Sequence, residues 1–402
     1  MRLFFAMMQA FFKTHKYLLE HLNVPVRRGL MDIVDWDDRL IGIVGTRGVG
    51  KTMFLLDYIS LKFGTDKSCL YVNLNNLYFS NRSIASFADE FQKTGGTTLV
   101  LDQIFKYPGW EDELIWCYDN LSTLKIIFSG SPLMLADKNL TEFEKRAKVY
   151  HLEGFSFREF LNFKSGSNFD RISLERLLNN HVSIAAEIVD KVKPLAYFTD
   201  YLHHGYYLFF QEQSNYLENL LKNINLILEI DISYLQQIEL KYLPKLRKLL
   251  YIIACSAPFQ PNVSKLSNEV ETSRATIINY LKYLNQASLI HLLYEGEPDN
   301  LKKPGEIYLQ NPNLVFSVAT GDVSNDVLNK TFFCNQLAYR HKVSCSRRCD
   351  FLINDSYQFN IGSKDNKSLN RSGKNSELWW ASEMEEIGKG RDIPLWLFGF
   401  LD

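Results

Sequence analysis

The sequence has almost no net charge and no long apolar run. Its 45 Lys and Arg residues nearly balance 46 Asp and Glu residues, so the 402-residue chain carries a net charge of −1. No global positive field therefore draws it to nucleic acid or to an anionic membrane, and such binding would need a local patch. No uninterrupted apolar stretch reaches the roughly 20 residues that cross a bilayer. We therefore expect no membrane span, and the length predicts two to four domains.

Cysteines are also few, and internal repeats are absent. The six cysteines are scattered along the chain: Cys69, Cys117, Cys255, Cys334, Cys345 and Cys349. A zinc site made of Cys345 and Cys349, with Cys334 and His341 nearby, would fit no common zinc spacing, so we expect buried or idle thiols there.

The N-terminal stretch "MRLFFAMMQAFFKTHKYLLEHL" has one early arginine and an apolar run, as a targeting signal would. Gln9, Lys13, His15 and Lys16 interrupt that run, and no small-residue cleavage site follows. We expect a helix that packs onto the body of the protein. Attachment of its Phe and Met residues to a membrane surface is the alternative.

The first part of the chain alternates strand-like and helical patterns. Helical periodicity is present at 50–62, 84–93 and 110–119. Strands that alternate with helices predict an α/β fold with a parallel sheet covered on both faces. The strand-like runs lie at 39–44, 69–74, 97–102, 124–130 and 148–152.

The pattern becomes helical from about 156 to 250 and predicts a lid or connector. Three helical patterns between 239 and 286 then precede two strand-like pieces, "SLIHLLYEG" and "GEIYLQN". Three helices followed by a hairpin is the order of a winged helix, in which "ETSRATIINYLKYL" would be the recognition-type helix.

The last hundred residues have a pattern that differs from those of the two preceding parts of the chain. "KVSCSRRCDFLIND", "SYQFNIGSK" and "IPLWLFGFLD" are strand-like, and a helix is expected around 376–388. "NDSY" predicts a hairpin turn between two of the strands. The polar stretch 362–376 predicts a mobile loop.

The stretch "GTRGVGKT", residues 45–52, matches the phosphate-loop pattern G-x-x-x-x-G-K-[ST] in full. Its glycines permit a backbone that turns successive N–H groups toward one anion. Lys51 supplies a positive charge for the outer phosphates, and the Thr52 hydroxyl can ligate Mg²⁺. A glycine-rich turn without a ligand is the structural alternative. The residues predicted to bind ATP are Gly45, Thr46, Arg47, Gly48, Val49, Gly50, Lys51, Thr52 and Met53.

Asp102 ends the apolar run "TTLVLD" and is the predicted partner of Thr52 in holding Mg²⁺. A strand-ending Asp that caps a turn is the alternative. Ser129 or Ser131, at the end of "KIIFSGS", could contact the γ-phosphate or water, although a Ser-Gly turn explains them nearly as well. Together with the scattered cysteines, this ATP·Mg²⁺ site predicts a cytoplasmic protein.

Six stretches carry a family resemblance: "RLIGIVGTRGVGKT", "LVLDQIFKYPGW", "LKIIFSGSP", "SFREFL", "TIINYLKYL" and "IPLWLFGFLD". They resemble a large family of prokaryotic AAA-type ATP-binding proteins that join a P-loop domain to a winged-helix region and a C-terminal domain similar to PD-(D/E)XK nucleases. The resemblance implies a P-loop NTPase sheet of the ASCE/AAA type, in which the Asp102 and Ser129 strands flank the phosphate-loop strand.

The resemblance also implies a glutamate where this chain has Gln103. That glutamate would polarise the attacking water, whereas a glutamine can orient water but is a far poorer base. We therefore expect ATP binding with slow hydrolysis, in which Lys51, Gln103 and Ser129 are the residues that act on the reaction. Either the protein is naturally a slow switch, or the glutamine replaces a glutamate in order to trap the bound state.

The resemblance also bears on Arg146 and on the C-terminal domain. Arg146 matches an arginine that could contact nucleotide or a neighbouring subunit, and a structural salt bridge is its alternative role. In the nuclease-like domain Asp350 and Lys364 are present, but Asn360 stands where the family usually has glutamate. A nuclease of this type needs an acid pair for its metal, so we expect a recognition or assembly module without catalysis.

The predicted domains are 1–160, a P-loop domain with its N-terminal helix; 161–238, a helical lid; 239–300, a winged helix; and 301–402, the nuclease-like domain. The predicted function is an ATP·Mg²⁺-dependent AAA-type ATPase or switch. A nucleic-acid-binding protein of a defence or mobile-element system, in which ATP licenses binding, is the first alternative, and Lys265, Arg274 and Lys282 would then face phosphates. A winged helix that serves only as a packing module is the favoured role for that region. A degenerate metal-dependent nuclease is the last. A DNA or protein partner would bind through the winged-helix and C-terminal regions, and monomer, dimer and ring all remain open.

Overall fold

A computed structural model describes residues 2–136, 140–211, 215–296, 303–319, 321–362 and 378–401. The chain divides into two compact units, Met1–Glu153 and Gly154–Asp402. No helix in these ranges is both long enough and apolar enough to cross a membrane.

The first unit is built on a five-stranded sheet in the order β2-β3-β4-β1-β5, and every neighbouring pair is parallel. The predicted α/β fold with a parallel sheet is therefore confirmed. Strands β1 and β3 are buried along their whole length, as expected for strands covered on both faces. The strands are β1 (Leu40–Val44), β2 (Cys69–Asn73), β3 (Thr98–Asp102), β4 (Lys125–Gly130) and β5 (Lys148–His151).

One detail of the implied strand order is wrong. The Ser129 strand, β4, lies directly beside the phosphate-loop strand β1, but the Asp102 strand, β3, lies one strand further out. Asp102 still reaches the phosphate loop because the carboxyl ends of parallel strands share one edge of the sheet. The helices of this unit are α1 (Arg2–Glu20), α2 (Lys51–Lys62), α3 (Ile84–Lys93), α4 (Trp110–Asn120) and α5 (Thr141–Glu144).

Helix α1 packs onto the body of the first unit, beside the edge strand β2. Its Phe11 ring meets the rings of Tyr78 and Phe87, each at a centroid distance of 5.3 Å. Its His15 is buried, and Nδ1 of His15 accepts a hydrogen bond of 2.9 Å from the backbone N–H of Tyr71 in β2. The helix thus supplies an acceptor to an outward-facing N–H group of the edge strand.

The second unit begins with helices, as predicted for 156–250. Ser156 and Glu159 form a capping box that starts the first of them. The helices are α6 (Phe157–Ser165), α7 (Leu174–Lys191), α8 (Leu195–His204), α9 (Tyr216–Leu226), α10 (Ser233–Leu235) and α11 (Leu243–Ser256). A π-helical turn, Ile227–Ile232, joins α9 to α10.

Two short helices and a hairpin follow α11 in the predicted order. Asn262 caps α12 (Val263–Glu269), and Ser273 caps α13 (Arg274–Gln286), each through a side-chain oxygen that accepts a backbone N–H. Strands β6 (Ile290–Leu293) and β7 (Glu306–Leu309) then pair antiparallel.

The last part of the chain forms a mixed sheet in the order β12-β11-β10-β9-β8. Asn354 and Asp355 join β9 to β10 with φ values of 51° and 57°, which confirms the hairpin turn predicted from "NDSY". The elements are α14 (Pro312–Val318), α15 (Asn325–Ala338), β8 (Val343–Ser344), β9 (Phe351–Ile353), β10 (Tyr357–Ile361), β11 (Leu378–Ser382) and β12 (Asp392–Pro394).

Two predictions for this region are wrong. Leu378–Ser382, expected to lie in a helix, is a strand that pairs with β10 and β12, which suits its two adjacent tryptophans. Leu395–Phe400, expected to be a strand, is a fully buried 3₁₀ helix. A Cβ on Gly399 would lie 2.4 Å from Cβ of Phe157 in α6, so a glycine is needed there. Nearly all of the loop predicted at 362–376 lies outside the described residues.

Candidate nucleotide site

The phosphate loop connects β1 to α2, as its sequence predicts. Gly48 and Gly50 have φ values of 85° and 95°, in the left-handed region that favours glycine. Gly50 is the N-cap of α2, and a glycine has no side chain with which to cap the helix. The first N–H groups of α2 therefore point into the loop, where an anion can accept from them.

A buried arginine supports the loop from outside the motif. Arg28 is only 8% exposed, and its guanidinium donates to the carbonyls of Val49 (2.9 Å) and Glu153 (2.7 Å). Gly45 is held as closely, because a Cβ there would lie 2.2 Å from the carbonyl oxygen of Leu152. Nothing in the sequence near Arg28 indicates this role, because its two partners lie 21 and 125 residues away.

Lys51 lies over the loop itself. Its Nζ donates to the carbonyl oxygens of Gly45 (2.7 Å) and Thr46 (2.8 Å). Thr46 and Val49 are buried. Arg47 and Met53 are half-buried. The predicted ligand residues thus form one short cradle with a positive charge at its rim.

Asp102 is the centre of the second half of the site. It is 1% exposed, and its carboxylate accepts hydrogen bonds from three other elements and from the residue that follows it. Thr52 Oγ1 and Tyr71 OH each donate to Oδ2 at 2.6 Å, while Ser129 Oγ and the backbone N–H of Gln103 (3.0 Å) donate to Oδ1. These bonds occupy about all the acceptor positions that a carboxylate has, so Asp102 is held in one orientation.

Gln103 is next to this carboxylate but joins it through its backbone. Its φ of 59° and ψ of 45° are left-handed, which costs a non-glycine residue roughly 1 kcal/mol or more. Its N–H also points to Ser129 Oγ, at 3.2 Å. The side chain is half-buried. Ser131 is buried and precedes a 3₁₀ helix, Pro132–Leu135, which suits the turn interpretation.

The structure brings Thr52, Asp102 and Ser129 into contact, but it gives Arg146 a structural role. The Arg146 guanidinium binds both carboxylate oxygens of Asp119, at 2.9 and 3.1 Å, and also Glu142. The hydrogen bond from Arg146 lowers the pKa of the Asp119 carboxyl. Of the two roles considered for Arg146, the salt bridge is the one that this geometry contains.

Two of the residues considered for a nuclease site, Asp350 and Asn360, accept hydrogen bonds from backbone N–H groups. Asp350 Oδ2 accepts the N–H of Ile361 (2.9 Å), and its Oδ1 is 3.9 Å from Nζ of Lys330. Asn360 Oδ1 accepts the N–H of Asp350 at 3.0 Å. Lys364 lies outside the described residues. Within the described part of the chain, no three His, Cys, Asp or Glu residues group as metal ligands would.

The first unit has the groups that would bind a triphosphate with Mg²⁺: the backbone amides of the phosphate loop, a lysine, a threonine hydroxyl and an aspartate. A parallel 2-3-4-1-5 sheet with this loop after β1 and this acid at the end of β3 defines a P-loop NTPase fold.

Comparison with known families agrees with this class. Residues 37–161 match the family model AAA_14, described as an AAA domain, and residues 196–316 match a domain of unknown function, DUF8612. Residues 37–161 are thus similar to an AAA domain, in agreement with the P-loop NTPase fold of the first unit.

Two uncharacterized proteins of Methanocaldococcus jannaschii are similar to the chain. MJ1637 is 24% identical over 63% of this chain and 56% of its own length, and MJ1544 is 25% identical over 62% and 55%. The matches thus span about half the length of these relatives. A RuvB variant of Thermotoga maritima (13% identity, 71% and 89% covered, TM-score 0.31) and AMPPCP-bound DnaA of Aquifex aeolicus (14%, 68% and 86%, 0.24) are similar solved structures. Scores this low carry no argument.

Proposed function

We propose that the chain binds ATP with Mg²⁺, hydrolyses it slowly and acts as a nucleotide-dependent switch. One observation carries the proposal: the hydrogen bond of 2.6 Å between Thr52 at the end of the phosphate loop and Asp102 at the end of β3. It joins the two halves of an ATP·Mg²⁺ site that lie 50 residues apart in sequence. A glycine-rich turn or a turn-capping aspartate alone would not need this contact.

Each residue of the site has a separate task in this proposal. The loop amides and Lys51 bind the phosphates, and the Thr52 hydroxyl is oriented by Asp102 so that its lone pair can face Mg²⁺. Bound Mg²⁺ would neutralise charge on the phosphates. Ser129 holds the other carboxylate oxygen. The Gln103 side chain could donate a hydrogen bond to water or accept one from it. Its amide cannot take a proton at neutral pH, which supports slow hydrolysis.

Replacing Lys51 with Ala should weaken ATP binding by at least about tenfold, because a charge-assisted contact to phosphate is worth roughly 2 kcal/mol or more. Equilibrium binding of ATP with excess Mg²⁺ measures the effect. Lys62→Ala is the matched control, since this lysine is exposed at the far end of the same helix. ATP binding that is equal in the wild type, Lys51→Ala and Lys62→Ala proteins would overturn the proposal.

We also propose four regions, 1–160, 161–238, 239–300 and 301–402, in which the last is a recognition or assembly module. The ammonium of Lys330 lies near Asp350, and its positive charge opposes the binding of a metal cation at that carboxylate. This supports a role of the region that needs no metal. None of the six cysteines, all of them in the described ranges, is in a disulfide, which supports a reducing cytoplasm as the location.

DNA binding through α13 is a second candidate, supported by the order of α11, α12 and α13 before the β6–β7 hairpin. Its basic surface is small. Lys265 is 3.8 Å from Glu269, and Lys248 on α11 is 3.5 Å from Glu271.

We therefore expect a gel-shift titration to show binding at low salt only, with a shallow salt dependence set by Arg274 and Lys282. Arg274→Ala should weaken that binding. If no shift appears even at low salt, this candidate is excluded.

A further inference from the structure

Tyr71 contacts the metal-site acid from a neighbouring strand. It lies in β2, is 4% exposed, and donates from its hydroxyl to Oδ2 of Asp102 at 2.6 Å. In the β2–β3 register Asn73 is opposite Asp102 and Tyr71 is opposite Val100. The tyrosine is therefore a diagonal neighbour of Asp102, at a distance that a long side chain bridges.

The oxygen that Tyr71 binds is the one that Thr52 binds. Both hydroxyls donate to Oδ2 of Asp102 at 2.6 Å. The side-chain torsion of an aspartate carboxylate is broad, so donors from its surroundings must fix its orientation. With Tyr71 in place, Oδ2 has one position, and so has the Thr52 hydroxyl that donates to it.

Tyr71 is itself held from two sides. Its backbone N–H donates to Nδ1 of His15 on α1. The phenol is thus anchored through its backbone on one side and through Asp102 on the other.

We propose that Tyr71 is a positioning residue for the Mg²⁺ site: its hydroxyl orients Asp102, and through Asp102 the Thr52 hydroxyl that would face the ion. The proposal rests on the proposed ATP·Mg²⁺ binding. Groups that orient metal ligands in this way typically contribute about 10–100-fold to metal affinity or activity.

The test is the Mg²⁺ dependence of ATP binding in Tyr71→Phe, which keeps the ring and removes the hydroxyl. We expect the ratio of ATP affinities with saturating Mg²⁺ and with EDTA to fall by about tenfold. The affinity in EDTA should stay at the wild-type value, because the loop amides and Lys51 are untouched. The Mg²⁺ concentration for half-maximal binding should rise correspondingly.

Tyr58→Phe is the matched control. Tyr58 is another buried tyrosine of the first unit, and its stacking on Trp36, at a centroid distance of 3.7 Å, survives the loss of the hydroxyl. Its affinity ratio should equal that of the wild type.

Two results for Tyr71→Phe would overturn the proposal. One is an affinity equal to that of the wild type both in Mg²⁺ and in EDTA. The other is an equal loss in Mg²⁺ and in EDTA together with a lower melting temperature, which is the signature of a merely structural role. If the wild type binds ATP in neither condition, the proposed function fails and the role of Tyr71 fails with it.

Discussion

Replacing Gln103 with glutamate should raise the rate of ATP hydrolysis by about 10²–10⁴-fold, the usual contribution of a general base. The backbone at position 103 is already held in place, so the substitution changes only the side chain. The Gln103 N–H is fixed on Asp102 and Ser129, so a side chain of the same length at position 103 starts from the same Cα. ATP affinity should change little, because Lys51, Thr52 and Asp102 are untouched.

Single-turnover release of phosphate in the presence of Mg²⁺ is the appropriate measurement, since it separates chemistry from product release. Gln103→Ala is the control: it removes the amide without adding a base, so its rate should stay within a few-fold of the wild-type rate. A Gln103→Glu protein no faster than Gln103→Ala would show that position 103 does not supply the base.

The folded protein should lose stability steeply as the pH falls below about 6.5. Burial is the largest influence on six of the eight histidines, and it lowers the pKa of each: His15, His151, His181, His203, His291 and His341. Below pH 6.5 the unfolded chain binds more protons than the folded chain does. The free energy of unfolding therefore decreases as the pH is lowered. Above pH 6.5 the stabilisation is fully present. The loss levels off once the pH is below each folded-state pKa.

His291 in β6 should make the largest single contribution. Burial lowers its pKa to about 4. Between pH 6.5 and that value, the difference corresponds to about 3 kcal/mol of unfolding free energy at roughly 1.4 kcal/mol for each pH unit.

Urea unfolding at a series of pH values from 7.5 to 4.5 tests both statements. His291→Gln should flatten the pH dependence, and His21→Gln, at an exposed position just after α1, is the control. A wild-type stability that is constant over this range would contradict the prediction.

The first unit was predictable from sequence because its signals are local. Each strand is a short apolar run. The phosphate loop is one continuous motif, and Asp102 directly ends one of the apolar runs. Tyr71 could not be found in this way. It stands in the apolar run "CLYVNL", and its role depends on the register of β2 against β3. Arg28 was missed for the same reason, since its partners are distant in sequence.

The C-terminal part was less predictable because non-local packing decides it. The segment "LWWAS" is a strand because it lies between β10 and β12, which supply its hydrogen-bond partners on both sides. The run "LWLFGF" has the composition of a strand but forms a 3₁₀ helix, in which Gly399 lets the chain approach Phe157 closely. Neither neighbour is visible from the segment itself.

Helix α1 has a consequence for how copies of this chain can meet. A strand at the edge of a sheet is a template on which another chain can add a strand, and β2 is such an edge. In this protein the outward N–H of Tyr71 already donates to His15. The ring contact of Phe11 with Tyr78 anchors the helix that carries His15. Addition of a strand from another copy at β2 would therefore have to displace α1 from Tyr71 first.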